Sequence, residues 1–225
     1  EARLRELLDI PVFHDDQHGT AIVVLAALRN SLRLVNKKLE DVKIVMSGAG
    51  AAGTAIARLL VLSGAKNIIA FDKDGAINGS RTRDDEMRAW FIDHSNPTNF
   101  AGSLHEAMTG ADVFIGVSAP NVLTESDVAS MSERSIVFAL ANPDPEVDPV
   151  IARKYAAVVA TGRSDQPNQI NNVLAFPGIF RGLLDAQAHR ITDDLLIAAA
   201  NAIADCVSAS QLNASFIVPS VFDPQ

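Results

Sequence analysis

The segment Phe13-His14-Asp15-Asp16-Gln17-His18-Gly19-Thr20 places two adjacent carboxylates directly before an apolar run, Ala21 to Leu28. Adjacent carboxylates repel each other. A helix N-terminus offsets part of that repulsion, by roughly 0.3–1 kcal/mol per charge, and a divalent cation offsets far more. Oxygen donors of this kind suit Mg²⁺ or Mn²⁺. Thr20 is placed to be a helix N-cap, its hydroxyl accepting from a free backbone N–H. The competing reading is a solvated turn, the commonest use of an Asp-Asp pair. His14 and His18 flank the pair and are read as orienting the loop by hydrogen bonds, ahead of any role as base or metal ligand.

A second constellation begins 32 residues after Asp16, at Gly48-Ala49-Gly50-Ala51-Ala52-Gly53. The apolar run Val42 to Ser47 enters it and a helical pattern from Thr54 leaves it, so the G-x-G-x-x-G stands between a strand and a helix. There the first glycine permits a tight turn, the second lets backbone approach a pyrophosphate, and the third lets helix and strand pack closely. The helix start, Ala51 and Ala52 included, offers free N–H groups to phosphate oxygens. The next strand, Asn67–Asp72, ends in a carboxylate where a dinucleotide site expects an acid for a ribose hydroxyl. Asp72 favours NAD. Lys73, Arg81 and Arg83 lie nearby and are either a route to the 2′-phosphate of NADP or an ordinary charged loop.

Three further polar loops follow strand-like runs. Ser118 lies in Gly116-Val117-Ser118-Ala119-Pro120-Asn121, where small residues allow a dinucleotide to lie near backbone. Asn142 ends Phe138-Ala139-Leu140-Ala141 before Pro143 and Pro145, which stiffen the loop. Asn171 and Asn172 stand in Asn168-Gln169-Ile170-Asn171-Asn172, before Phe176-Pro177-Gly178. Neutral amides donate to a carboxylate or a carboxamide without adding charge; a lone Asn in a turn more often bonds its own backbone. Ser118 and Asn142 are candidates for cofactor contact, and Asn142, Asn171 and Asn172 for substrate contact.

The elements that must carry these loops alternate. Strand candidates are 42–47, 67–72, 112–117, 136–139 and 157–161. Helical patterns lie between them at 53–63, 83–94, 104–108, 125–131 and 149–155. Such alternation gives βαβ units and a mostly parallel, doubly wound, Rossmann-type α/β sheet, whose ligands sit beyond the carboxyl ends of the strands. Helices near 2–8 and 20–35 flank it at the N-terminal side, and 177–188 and 193–209 at the C-terminal side. The tail 215–220 reads as extended or irregular. One domain spanning 1–225 is the simplest organisation.

The 225 residues, 48% hydrophobic, are enough for a large core. A net charge of −8 argues against nucleic acid or an anionic membrane as the main partner, and no apolar run approaches the roughly 20 residues of a bilayer span. The single cysteine, Cys206, excludes an internal disulfide and fits a reducing, cytoplasmic setting. It sits in an apolar helical stretch and reads as a packing residue. The chain lacks an initiator Met and opens directly on an amphipathic pattern (Leu4, Leu7, Leu8), which suggests a piece of something longer.

Taken together, Ile10 to Thr20, Gly48 to Gly53, Phe138 to Pro143, Gln169 to Asn172 and Phe176 to Gly178 resemble the malic enzymes, which oxidise and decarboxylate malate. The His-Asp-Asp-Gln-His-Gly-Thr form resembles the bacterial branch. The resemblance implies that Asp16 ligates the divalent metal and that Asp15 is an active-site carboxylate beside it. It implies that Gly48, Gly50, Gly53 and Asp72 belong to the NAD(P) site, and that Asn142, Asn171 and Asn172 contact malate. An Asp in Asp72's place does not settle NAD against NADP in that family.

The family also requires a Glu-Asp metal pair shortly before this segment, and a Tyr and a Lys from an N-terminal domain as acid and base. None has a match here, and the only tyrosine, Tyr155, falls in a helical stretch between late strands. The resemblance therefore implies a cofactor domain that binds NAD(H) but turns over malate poorly by itself. It further implies an N-terminal domain as its partner and a homo-oligomer; the helical patterns at 1–8 and 193–209 are candidate contact surfaces. Two alternatives stay open at this point: the cofactor domain of another two-domain dehydrogenase, such as one acting on amino acids, and a nucleotide-binding module without chemistry.

Overall fold

The computed structural model describes residues 2–222. In chain order, α1 (Ala2–Leu7) is followed by one turn of π-helix (Asp15–Gly19) that runs without a break into α2 (Thr20–Val35). Then come β1 (Lys43–Ser47), α3 (Ala51–Leu62), β2 (Asn67–Asp72), β3 (Gly75–Ala76), α4 (Glu86–His94), α5 (Leu104–Met108), β4 (Val113–Gly116), α6 (Glu125–Ala129), β5 (Ile136–Ala139), α7 (Pro149–Ala152) and β6 (Val158–Thr161). A short 3₁₀ turn (Asn172–Leu174), α8 (Phe176–Asp185) and α9 (Asp193–Asp205) complete the chain.

The strands form one sheet in the order β3-β2-β1-β4-β5-β6. All pairings are parallel except β2 with β3. The five expected strands are present at close to their expected limits. The added strand β3 is a two-residue hairpin return on β2, paired Phe71 with Ala76 and Asp72 with Gly75. It is too short to show a period-2 pattern in sequence.

The parallel strands are apolar on both faces because both faces are covered. Ile44 and Met46 of β1, Val113 and Ile115 of β4, and Ile136 and Phe138 of β5 point to one core with α2 and buried residues of α3, α8 and α9. Val45, Phe114, Val137 and Val159 point to the other, with residues of α5, α6 and α7. Of the helices expected to flank the sheet, α2, α8 and α9 pack on one face of it. Ala21 to Leu28 of α2 are all buried, and Asn30 at its centre donates to the carbonyls of Ala204 and Ile217, 2.9 Å each. That pair of bonds binds α9 and the irregular tail to α2. One face of α9 is thereby taken (Leu196, Ala200, Ile203 and Ala204 are buried), whereas Leu4, Leu7 and Leu8 near α1 stay exposed.

The strand order reverses between β1 and β4, whose ends align Ser47 with Gly116. A crevice opens at such a switch point, at the carboxyl ends of the strands.

Candidate functional site

The glycine-rich turn stands at that switch point. Gly48 has φ +107°, and a Cβ there would lie 2.5 Å from the Val117 carbonyl oxygen on β4's exit loop. A Cβ on Gly53 would overlap the carbonyl oxygen of Gly48. So the first and third glycines let turn, helix and neighbouring strand close on one another. Gly50 differs: a Cβ there meets nothing within 4 Å. Its open side is the approach path to α3, whose start carries no side-chain cap. The first N–H groups of α3 thus lack an intrahelical partner and carry the positive dipole end.

A cleft of about 630 Å³ lies beside this turn. Asp15, Asp16, Ser118, Asn142, Asn171 and Asn172 all line it, and Ala52 joins them from α3. Segments up to 157 residues apart in sequence meet here. The loop after β6 is drawn back along that strand, with Ile170 N–H donating to Thr161 O at 2.8 Å, which brings Asn171 and Asn172 to the Asp pair. The remaining expected residues stand elsewhere. Gly48, Gly50, Ala51 and Gly53 form the turn itself, and Asp72 lies at the tip of β2.

The carboxylates have unequal surroundings. Asp15 is half-buried. Its Oδ2 and its backbone carbonyl both accept from Asn172 Nδ2, at 3.3 Å each, and its Oδ1 is buried without a partner. Asp16 is exposed and makes no hydrogen bond or ion pair among the described residues. A buried unsatisfied carboxylate oxygen calls for an explanation, and a ligand of the cleft supplies one. Hard oxygen donors fit Mg²⁺ or Mn²⁺, so Asp15 and Asp16 fit such a cation as contributors. Among the described residues, no group of three or more His, Cys, Asp or Glu stands together to hold one.

Thr20 is not the N-cap. The π-turn begins at Asp15, with His14 before it in the N-cap position and no side chain capping it. His18 Nδ1 accepts from His14 N–H at 3.0 Å. Thr20 Oγ1 instead donates to Asn172 Oδ1 at 2.9 Å. Asn172 thus spends both ends of its amide on the Asp turn, holding Asp15 in place. Asn171 Oδ1 caps the 3₁₀ turn by accepting from Val173 N–H at 3.0 Å. Asn142 is exposed at the cleft, behind a cis Asn142-Pro143 bond. The His14 side chain is exposed, whereas that of His18 accepts a hydrogen bond from the His14 N–H of the same loop. His18 is buried, with Phe13 tilted against its ring at 5.2 Å between centroids, and Arg5 Nη2 lies 2.8 Å from its Nε2.

At the tip of β2, Asp72 is already engaged. Arg81 Nη2 reaches its two oxygens at 3.0 and 3.1 Å, Arg88 Nη2 lies 3.3 Å away, and the Asp74 N–H donates at 2.9 Å. Arg83 pairs with Asp93 instead. Tyr155 lies beyond the end of α7, where its hydroxyl donates to Glu125 at 2.8 Å, outside the cleft. Sequence reasoning missed Glu146, which is wholly buried beneath the cleft. Burial pushes its carboxyl above the ordinary range, and hydrogen bonds from Ser118 and Ala141 pull the other way.

A doubly wound sheet with a glycine-lined helix N-terminus at its switch point defines the dinucleotide-binding class of α/β domains. Residues 17–224 match the family described as the NAD-binding domain of malic enzyme. The NAD-dependent malic enzyme of Geobacillus stearothermophilus is 55% identical over 99% of this chain and 47% of its own length. The NADP-dependent malic enzyme of Rhizobium meliloti is 47% identical over the whole chain and 32% of its own length. The crystal structure of an NAD-dependent malic enzyme from Thermotoga maritima superposes with a TM-score of 0.92 at 46% identity, over 99% of this chain and 59% of that one. The chain belongs to the malic enzyme family, as its NAD-binding domain. It spans about half the length of the first of these relatives. No helix among the described residues is long and apolar enough to cross a membrane.

Proposed function

We propose that residues 1–225 are a single NAD(P)-binding domain acting within a longer, metal-dependent malic enzyme, which converts malate to pyruvate and CO₂. One observation carries this reading: the Asp15-Asp16 turn and Ala52, in the first turn of α3, line the same cleft. Membership in the malic enzyme family removes the support for an amino-acid dehydrogenase.

When bound, the nicotinamide would accept the hydride and the divalent cation would act as Lewis acid toward the substrate oxygens. This chain's residues bind and orient. The N–H groups at Ala51, Ala52 and Gly53 hold pyrophosphate oxygens across the open side of Gly50, with Gly48 setting the turn. Asp72 accepts from a ribose hydroxyl, in competition with Arg81. Ser118 and Asn142 flank the cofactor's far half. Asn142 and Asn171 donate to malate. Asp16 contributes a metal ligand, and Asp15, fixed by Asn172, stands beside it; Asn172 reaches substrate only through that turn. The acid and base belong to an N-terminal domain that completes the site. The protein works in the cytoplasm as a homo-oligomer.

The test is a pair of assays on the 225-residue chain. Titration against NADH fluorescence is expected to show binding, and malate-dependent reduction of NAD⁺ or NADP⁺ with Mn²⁺ is expected to stay at background. A substantial Mn²⁺-dependent rate from this chain would falsify the assignment of acid and base to another domain. An absence of NADH binding would remove the cofactor reading.

A further inference from the structure

One carboxylate beneath the cleft joins the loops that leave β4 and β5. Glu146 is 0% exposed. Its Oε1 accepts from Ser118 N–H at 2.9 Å and from Ser118 Oγ at 3.3 Å; its Oε2 accepts from Ala141 N–H at 3.1 Å. Ser118 Oγ also lies 2.8 Å from Ser47 Oγ, and Ser47 directly precedes the glycine-rich turn. The segment bearing Glu146 is itself pinned. Pro145 O accepts from Asn121 N–H at 3.1 Å and Glu146 O from Leu123 N–H at 3.0 Å.

Two features set this residue apart from an ordinary loop brace. It has no ion-pair partner among the described residues, so its charge is met by backbone amides, of Ser118, Ala141 and Glu146 itself, and by the Ser118 hydroxyl. Burying a carboxylate without a counter-cation is costly, and an apolar side chain would fill the space without that cost. Second, β4 is shaped around it. A Cβ on Gly116 would overlap the Glu146 carboxyl. The amides it holds belong to Ser118 and to Ala141, the residue before Asn142, and Ser118 and Asn142 both line the cleft beyond the switch point. In a doubly wound sheet the adenosine half of a dinucleotide lies on the β1–β2 side and the other half beyond the switch.

We propose that Glu146 is a positioning residue for the nicotinamide half of the cofactor: its carboxylate clamps the Ser118 and Ala141 amides together and so sets the spacing of Ser118 and Asn142 in the cleft. The proposal rests on the dinucleotide-binding reading above. Glutamine at this position keeps the volume but presents an NH₂ where one of the amides needs an acceptor, so one of the two loops is released.

The experiment compares two ligands on the 225-residue chain and its Glu146→Gln variant. NADH is followed by fluorescence. ADP-ribose, which has the adenosine and pyrophosphate but no nicotinamide, is followed by calorimetry. The Kd for NADH is expected to rise about tenfold, as for loss of one charge-assisted hydrogen bond, while that for ADP-ribose stays within about twofold. Glu146→Asp keeps the charge but draws the carboxylate back by one methylene. It is expected to show the same selective loss, and it decides the matter by the same titrations if the glutamine variant fails to fold. Equal weakening of both ligands in a folded variant, or unchanged NADH affinity, overturns the clamp alone. A wild-type chain that binds neither ligand overturns the dinucleotide reading and the clamp with it.

Discussion

Two glycines three residues apart should separate stability from affinity. A Cβ on Gly53 runs into the Gly48 carbonyl oxygen, which is backbone and cannot swing aside; a Cβ on Gly50 meets nothing within 4 Å. Overpacking of this kind costs about 1–3 kcal/mol. Gly53 lies within α3, where alanine recovers up to about 1 kcal/mol of helix propensity. The net cost of Gly53→Ala is then about 1–2 kcal/mol, which for a domain of this size lowers the melting temperature by roughly 2–8 °C. Gly50 has φ −77° and ψ −162°, a conformation alanine adopts freely. Gly50→Ala should lose only the few tenths of a kcal/mol by which glycine exceeds alanine as an N-cap, up to about 1. Its methyl instead fills the open side across which a pyrophosphate approaches, and NADH affinity should fall by about tenfold or more. Thermal melts and urea titrations measure the first effect, and NADH fluorescence titration the second. The reasoning is refuted if Gly53→Ala melts with the wild type, or if Gly50→Ala binds NADH as the wild type does.

Asn172→Ala removes the bonds to Asp15 and Thr20 and leaves Asp15 with both oxygens unpaired. It should cost about 1–3 kcal/mol in urea denaturation, and an unchanged midpoint refutes the bracing role. Asp72→Ala removes the nearer of the two carboxylates that Arg81 and Arg88 share, leaving Asp74 at 3.7 and 3.9 Å. The ratio of NADP⁺ to NAD⁺ dissociation constants should fall about tenfold as Arg81 loses its closest partner and can turn to a 2′-phosphate; calorimetry showing no change in the ratio opposes this. Asp112 is half-buried: burial raises its pKa, but hydrogen bonds from Lys37 at 2.7 Å, Ser132 at 2.6 Å and the Lys43 N–H at 2.8 Å outweigh that and hold it below the ordinary value. Its folded-state pKa lies under its unfolded one, so the stabilisation is complete above about pH 4 and is lost as pH falls through the lowered value. Asp112→Asn should be less stable at pH 7 and flatten the stability profile below pH 4, as followed by circular dichroism.

The strands and the glycine turn were legible because their signals are local. Ile44 to Met46 and Val113 to Ile115 are continuous apolar runs, and the turn's three glycines fill distinct steric roles that a short window contains. What escaped depends on distant partners. Thr20 looks like an N-cap in any local window; its hydroxyl goes to Asn172, 152 residues away, because the π-turn had already started the helix. Asn172 carries the right chemistry for substrate, but both ends of its amide are committed. Glu146 reads as one more charge in a proline-bounded loop. Its burial follows from Gly116 and Ser118, some 30 residues earlier. A single signal was present: Pro145 and Val147 enclose it, an apolar setting unusual for an exposed carboxylate.

The Asp15-Asp16 turn gains its meaning from what lies behind it. It is the N-terminal extension of α2, whose first turns are buried from Ala21 through Leu28, so it is carried by the most enclosed helix of the fold and not by a free loop. Asn172 and His18 remove most of its remaining freedom. A carboxylate held this firmly with one buried oxygen unpaired is costly by about 1–3 kcal/mol, a cost that a bound ligand would relieve. That gives the orphaned Oδ1 a measurable consequence. Asp15→Asn removes the charge and keeps an acceptor for Asn172, but exchanges the unpaired Oδ1 for an unpaired NH₂. The variant should lie within about 1–3 kcal/mol of wild type without metal. With millimolar Mn²⁺, wild type should gain stability and the variant should gain less. Equal gains in the two proteins would place the cation elsewhere.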